Sequence, residues 1–188
     1  MISIVALWLP IVLSAVLVFF VSALIYMVLP YHRKDFRKLP EEDRVLGALA
    51  PLDIPPGDYV MPHAPGMEAM RSEEHRAKVE RGPVAFMTVM NPAETFNMGP
   101  QLVQWFAYSL LVGALVAYVA GRTLTAGADY LSVFRLAGTV AFACYAMSLP
   151  QRSIWYKQAW PTTLRMMFDG VVYASLTAGV FGWLWPTP

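Results

Sequence analysis

Cysteine occurs once, at Cys144, so no intrachain disulfide and no paired-cysteine metal or redox motif is available. The residue sits in an apolar run and reads as a small buried thiol. Charge is scarce as well: Asp, Glu, Lys and Arg make up 14% of 188 residues, while 57% are hydrophobic; soluble domains carry nearer ~25% charged residues. Histidine occurs three times, at His32, His63 and His75, and in none of the long apolar runs. A haem held between two histidines inside a bilayer is therefore excluded within one chain. No GxSxG, P-loop, HExxH or GxGxxG pattern is present, and no spacing links Ser, His and Asp into a nucleophile–base pair. The chain reads as non-enzymatic, without a cofactor.

What the chain has is apolar length. Mean hydropathy is +0.47. Nine of the 14 Lys and Arg lie between Arg33 and Arg81, so a polar middle is flanked by apolar ends. Residues 2–29 hold no charge and exceed the roughly 20 residues that cross a hydrocarbon core. The stretch lacks a basic start and is longer than a signal-peptide core, so it reads as a retained anchor, transmembrane helix 1. Three more spans are expected within residues 101–188, at about 101–120, 129–149 and 162–185.

The last of these spans organises the reading. Pro161, Thr162 and Thr163 open it, and Gly170, Ala174, Ala178 and Gly182 recur every fourth residue, leaving one stripe nearly bare of side chain. Such a stripe lets another helix approach closely in lipid. Ser109, Gly113, Ala117 and Gly121 repeat the pattern in the second span, and the two matching stripes predict that the second and fourth spans pack together.

Residues 30–100 are expected outside the bilayer as a small cytoplasmic α+β module. Glu41, Glu42 and Asp43 start a short helix that stops before Pro51, and Ser72 caps a polar helix that ends at Gly82. Tyr59–Met61 and Val84–Met90 are strand-prone and predict a two-stranded ribbon. A ribbon of that size is marginal alone, so the module is expected to lean on the bundle, the bilayer or a partner.

Arg33, Lys34, Arg37 and Lys38 follow the first span directly and place that end in the cytoplasm. Arg152 and Lys157 then fall on the same inner side, so both termini are expected outside, in a multi-pass protein. Nucleic acid is not an expected partner: nine bases from Arg33 to Arg81 face 11 acids from Asp35 to Glu94.

Two charges lie inside spans, Arg135 and Asp169. Each costs about 2.5–3.5 kcal/mol at mid-bilayer unless it faces the bundle and finds a partner. They sit in opposite halves of the bilayer, which argues against a direct pair. Asp169 is four residues from Arg165, and a local salt bridge between them is expected. Met61, His63, Met67, Met70 and His75 offer soft donors of the kind that suits Cu(I), though methionine is a common gap-filler.

Pro56-Gly57-Asp58-Tyr59, Met61-Pro62-His63, Gly82-Pro83-Val84-Ala85, Asn97-Met98-Gly99 and the run Gly179 to Pro186 resemble a family of small, uncharacterised bacterial multi-span inner-membrane proteins. The resemblance implies a bacterial inner membrane and carries no activity or residue role. The fold expected is an all-α, four-transmembrane-helix bundle with the α+β insertion between helices 1 and 2. The function expected is a non-catalytic accessory, structural or assembly subunit, bound to other membrane-protein subunits or to itself as a homo-oligomer. A small oligomeric transporter or channel using Asp169 and Arg135, and more remotely a copper-handling protein, are the alternatives.

Overall fold

The computed structural model describes all 188 residues. A short 3-10 turn leads into α1 (Trp8–Met27); there follow α2 (Glu42–Leu49), β1 (Gly57–Met61), α3 (Met67–Met70), α4 (Glu73–Arg81), β2 (Ala85–Val89), α5 (Pro92–Thr95), α6 (Gly99–Thr123), α7 (Tyr130–Tyr145), α8 (Pro150–Tyr156) and α9 (Trp160–Trp183). The chain is 68% helical. It divides into two compact units, residues 1–36 with 99–188, and residues 37–98.

In the first unit four helical stretches are long and apolar enough to cross a membrane: Ile4–Met27, Gly99–Thr123, Tyr130–Tyr156 and Trp160–Trp183. The third differs from the uninterrupted helix expected over 129–149. α7 stops at Tyr145, a turn occupies residues 146–149, and α8 begins with Pro150. The cause is local: Pro150 brings no N–H and its ring crowds the preceding turn, but it suits the first position of a new helix.

The long helices pack as a ring, α1 against α6, α6 against α7, α7 against α9, and α9 back onto α1. The buried core runs through Leu7, Val18, Val116, Val133, Ala141 and Phe181. Both small-residue stripes are packing surfaces, but they do not meet each other as expected. Ser109, Gly113, Ala117 and Gly121 are all buried on α6, and the two glycines face the start of the chain. A Cβ on Gly113 would come within 3.2 Å of the Ile11 carbonyl oxygen, and one on Gly121 within 2.7 Å of that of Ile2. The α9 stripe faces α7: a Cβ on Gly170 would lie 2.7 Å from that of Ala146, and one on Gly182 2.7 Å from the Tyr130 ring. Ala174 and Ala178 are buried between them. A stripe of bare backbone accepts any neighbour that comes close, so the repeat marks a packing face without naming its partner. α6 and α9 lie across the ring and touch through aromatic rings, Trp105 against Tyr173 at 5.8 Å.

The end of α9 is clasped to the loop between α6 and α7. The Gly127 N–H donates to the Pro186 carbonyl at 2.8 Å, and the Trp185 indole donates to the Thr125 carbonyl at 2.9 Å. Gly127 has φ +75°, a backbone conformation that favours glycine.

In the second unit β1 and β2 form the antiparallel ribbon anticipated from their strand-prone sequences, with Tyr59 opposite Met87. Thr88 donates to Asp58 across it at 2.6 Å. Ser72 caps α4 by accepting from the His75 N–H. No residue from 37 to 98 is buried, so this unit has short elements without a core of its own.

Replacing Gly170 by Leu is expected to destabilise the protein by about 1–3 kcal/mol, because α7 leaves no room for the side chain. Gly47→Ala in α2, where nothing lies within 4 Å of the new Cβ, is the control expected to be neutral or stabilising. Thermal unfolding in mild detergent reads both.

Candidate functional site

At the end of α1 the chain turns back on itself. Leu29 is extended ahead of Pro30, as a residue before proline prefers, and Pro30–His32 form a 3-10 turn. The turn lays the His32 ring on Tyr26, with centroids 4.4 Å apart and planes within 11°. Asp35 follows one turn later, its N–H donating to the His32 carbonyl at 3.0 Å. Three polar side chains are thereby carried beside the first half of α9.

The result is a continuous chain of acid and base. Arg165 Nε donates to Asp35 Oδ1 at 2.8 Å, and Asp35 Oδ2 lies 2.6 Å from His32 Nδ1. On the far side of the imidazole, His32 Nε2 is 2.9 Å from Asp169 Oδ2. The Tyr31 hydroxyl donates to Asp169 Oδ1. The side chains of His32, Asp35 and Asp169 are 7%, 5% and 2% exposed, so these charges are out of water and depend on one another. The Nε2–Oδ2 approach has an ion-pair distance without hydrogen-bond alignment, and both atoms lack a hydrogen-bond partner, as does the buried Tyr173 hydroxyl.

The electrostatics follow from the donor count. Two carboxylates face one guanidinium and one imidazole. With His32 protonated the chain is balanced and both ring nitrogens are donors; with it neutral, one negative charge is left over and the imidazole serves only one of the two carboxylates as a donor. Burial alone pushes the Asp35 carboxyl up, but the hydrogen bonds and charges of His32 and Arg165 outweigh it and hold it below the usual carboxylate range. Burial, then the bond to Asp169, pushes the Tyr31 phenol well up, so it remains a donor.

Beyond Asp169 lies an aromatic wall. Tyr173 meets Tyr145 at 5.6 Å and Trp105 at 5.8 Å, and the Trp105 indole donates to Ser22 on α1 at 2.9 Å. Tyr108 donates to the Cys144 carbonyl at 2.7 Å. Chemically, the site can share a proton between His32 Nδ1 and Asp35 Oδ2, with Asp169 at ion-pair distance on the far side of the ring. It contains no Ser, Thr or Cys side chain set against a base.

Asp169 is thus buried and partnered, but not by Arg165 as expected. Arg165 turns to Asp35, and Asp169 takes His32 and Tyr31. Arg135 lies elsewhere, exposed on α7, with no ion pair to Asp169 or to any other acid. Arg33 and Lys34 are exposed beside the site residues, and Arg37 and Lys38 are exposed in the second unit. In the sequence, Tyr31, His32 and Asp35 are interleaved with the basic residues Arg33, Lys34, Arg37 and Lys38. The available signal was the three-residue separation of His32 and Asp35, which one turn brings together, and a buried acid in search of a cation. The soft donors are spread over different pieces of the second unit: Met61 ends β1, His63 follows it, Met67 and Met70 are on α3, and His75 is on α4. No three His, Cys, Asp or Glu side chains gather in a group that could hold a metal ion.

These observations define a mainly helical protein with four helices of membrane-crossing length and composition and a small two-stranded sheet. Comparison with protein-family models, curated proteins and solved structures yields no match.

Asp169→Ala is expected to cost about 3–5 kcal/mol of unfolding stability, since it strands His32 in the interior. The contribution of Asp35 is present in full above its unfolded pKa of about 3.9 and is lost as pH falls through its lower folded value. Unfolding followed between neutral pH and pH 2 should show this acid limb, and Asp35→Asn should remove it.

Proposed function

We propose that this is a multi-pass protein of the bacterial inner membrane that serves as a non-catalytic accessory, structural or assembly subunit of a membrane complex. The observation that carries the reading is the second unit. Residues 37–98 hold a ribbon and four short helices without one buried residue, and Leu46, Val84 and Phe86 are 60%, 61% and 52% exposed. Apolar side chains on elements this small gain their burial against another surface. A subunit that completes itself on a partner meets that need.

Membrane insertion is supported by the four apolar helices, and the bacterial inner membrane by the family resemblance. In the orientation we favour, Arg33, Lys34, Arg152 and Lys157 face the cytoplasm and both termini lie outside. The absence of a marked nucleophile supports the non-catalytic reading.

A second reading has one observation of its own. His32 and Asp169 are two buried titratable groups whose Nε2 and Oδ2 atoms lie 2.9 Å apart, the kind of pair a proton path uses. Arg135 is not part of that path, because it neither pairs with Asp169 nor shares its surroundings.

Purification from native membranes in mild detergent, with the tag in the segment between α2 and β1, is expected to bring a stoichiometric membrane-protein partner. A clean homo-oligomer would instead move weight to the proton path. In that case Asp169→Asn in vesicles should abolish proton flux while leaving the oligomer intact, and unchanged flux would end that reading. A reporter fused at Pro188 should be active only outside the cytoplasm.

A further inference from the structure

The first unit holds only three acids, Asp35, Asp129 and Asp169, and no glutamate. Asp35 and Asp169 are committed to His32, Arg165 and Tyr31. Asp129 caps α7 by accepting from the Ser132 N–H at 3.0 Å. Arg135 has no ion pair, its guanidinium makes no hydrogen bond, and none of the unit's acidic side chains is left for it. No side chain of this unit supplies its counter-charge.

Arg135 stands at the mouth of an open groove of about 430 Å³ between α7 and α9. Its walls are Phe134, Phe142, Val171, Gly138 and Ala178, all apolar. The floor is shallow because the two helices touch there: a Cβ on Gly138 would be 3.2 Å from that of Ala178. The hydroxyls on the rim are already used, Thr139 donating to the Arg135 carbonyl and Ser175 to that of Val171, both at 2.8 Å. The groove is thus an apolar channel with one free cation at one end.

We propose that this groove is a phospholipid site: one acyl chain lies between α7 and α9, and Arg135 binds the phosphate of an anionic headgroup. The proposal rests on reading the four helices as membrane spans. Arg135 is five residues into α7, about 7.5 Å along its axis at 1.5 Å per residue. That places the guanidinium within reach of the headgroup layer, to which long basic side chains extend. A guanidinium matches phosphate oxygens with two parallel donors. The volume fits a narrow ligand, whereas a partner helix is about 10–12 Å across and needs a longer surface. A net positive charge with no acid beside it selects a headgroup with net negative charge over a zwitterion.

The test is native mass spectrometry of the full chain, delipidated and then reconstituted in vesicles of phosphatidylglycerol and phosphatidylcholine in equal parts. One retained phosphatidylglycerol per chain is expected. Arg135→Gln should lower its retention about tenfold, as loss of a charge-assisted contact does. Ser175→Trp should also lower it, by filling the groove from an exposed position while leaving Arg135 in place. It serves alone if Arg135→Gln does not fold. Equal retention of the two lipids by the wild type, undiminished retention by either folded variant, or an acidic protein segment cross-linked at Arg135 in place of lipid would each overturn the site. Carbonate-washed membranes should keep the wild type and both variants. Release of the wild type would overturn the spanning assignment itself, which is a different failure.

Discussion

A carboxylate removed from water must be paid for in partners, and Asp169 sets that condition for the rest of the bundle. Its side chain is 2% exposed. No base on its own helix serves it, since Arg165 is taken by Asp35. The chain instead turns back after α1 and brings Tyr31 and His32 to it. The turn at Pro30, the stacking of His32 on Tyr26 and the placement of Asp35 are all arrangements that keep this one acid supplied. α1 and α9 are consequently joined by polar bonds in addition to apolar contact. In lipid such bonds add to association that otherwise relies on packing alone.

Close approach is the second constraint. Two of the four seams of the ring, α1–α6 and α7–α9, close where a side chain has been dispensed with. Ile2 and Ile11 lie on Gly121 and Gly113 of α6, and Ala146 and Tyr130 lie on Gly170 and Gly182 of α9. The aromatic residues do the opposite and fill the middle, where Trp105, Tyr145 and Tyr173 meet edge to face or tilted. Small residues at the seams and large rings at the centre are one solution to the same geometry. The Trp105 indole would be an orphan donor in this interior without Ser22, so the ring cluster is also tied to α1.

The apolar runs were legible in the sequence because length and composition alone mark a helix of membrane-crossing size. The ribbon was legible because alternation and turn residues are local properties. Asp169 stood out for the same reason, as a lone acid in an apolar run. Its partners did not. Tyr31 and His32 are 138 and 137 positions away, and the one local signal, the three-residue spacing of His32 and Asp35, says nothing of α9. The pairing of the stripes was hidden too, because a stripe without side chains carries no information about which helix will cover it. The expected span ended at residue 149, whereas helix is interrupted at residues 146–149 and resumes at Pro150 as α8.

The separation between His32–Asp35 and α9 also has a meaning in time. Arg165 is 130 residues downstream of Asp35. At a synthesis rate of about 5–20 residues per second, the ribosome needs roughly 7–26 s to cover that distance. Throughout that interval the turn after α1 exists without the groups that will complete it, and its carboxylate and imidazole belong in water. The acid–histidine–acid chain can close only once α9 has been made. The first helix of this protein is therefore committed to its final place by the last.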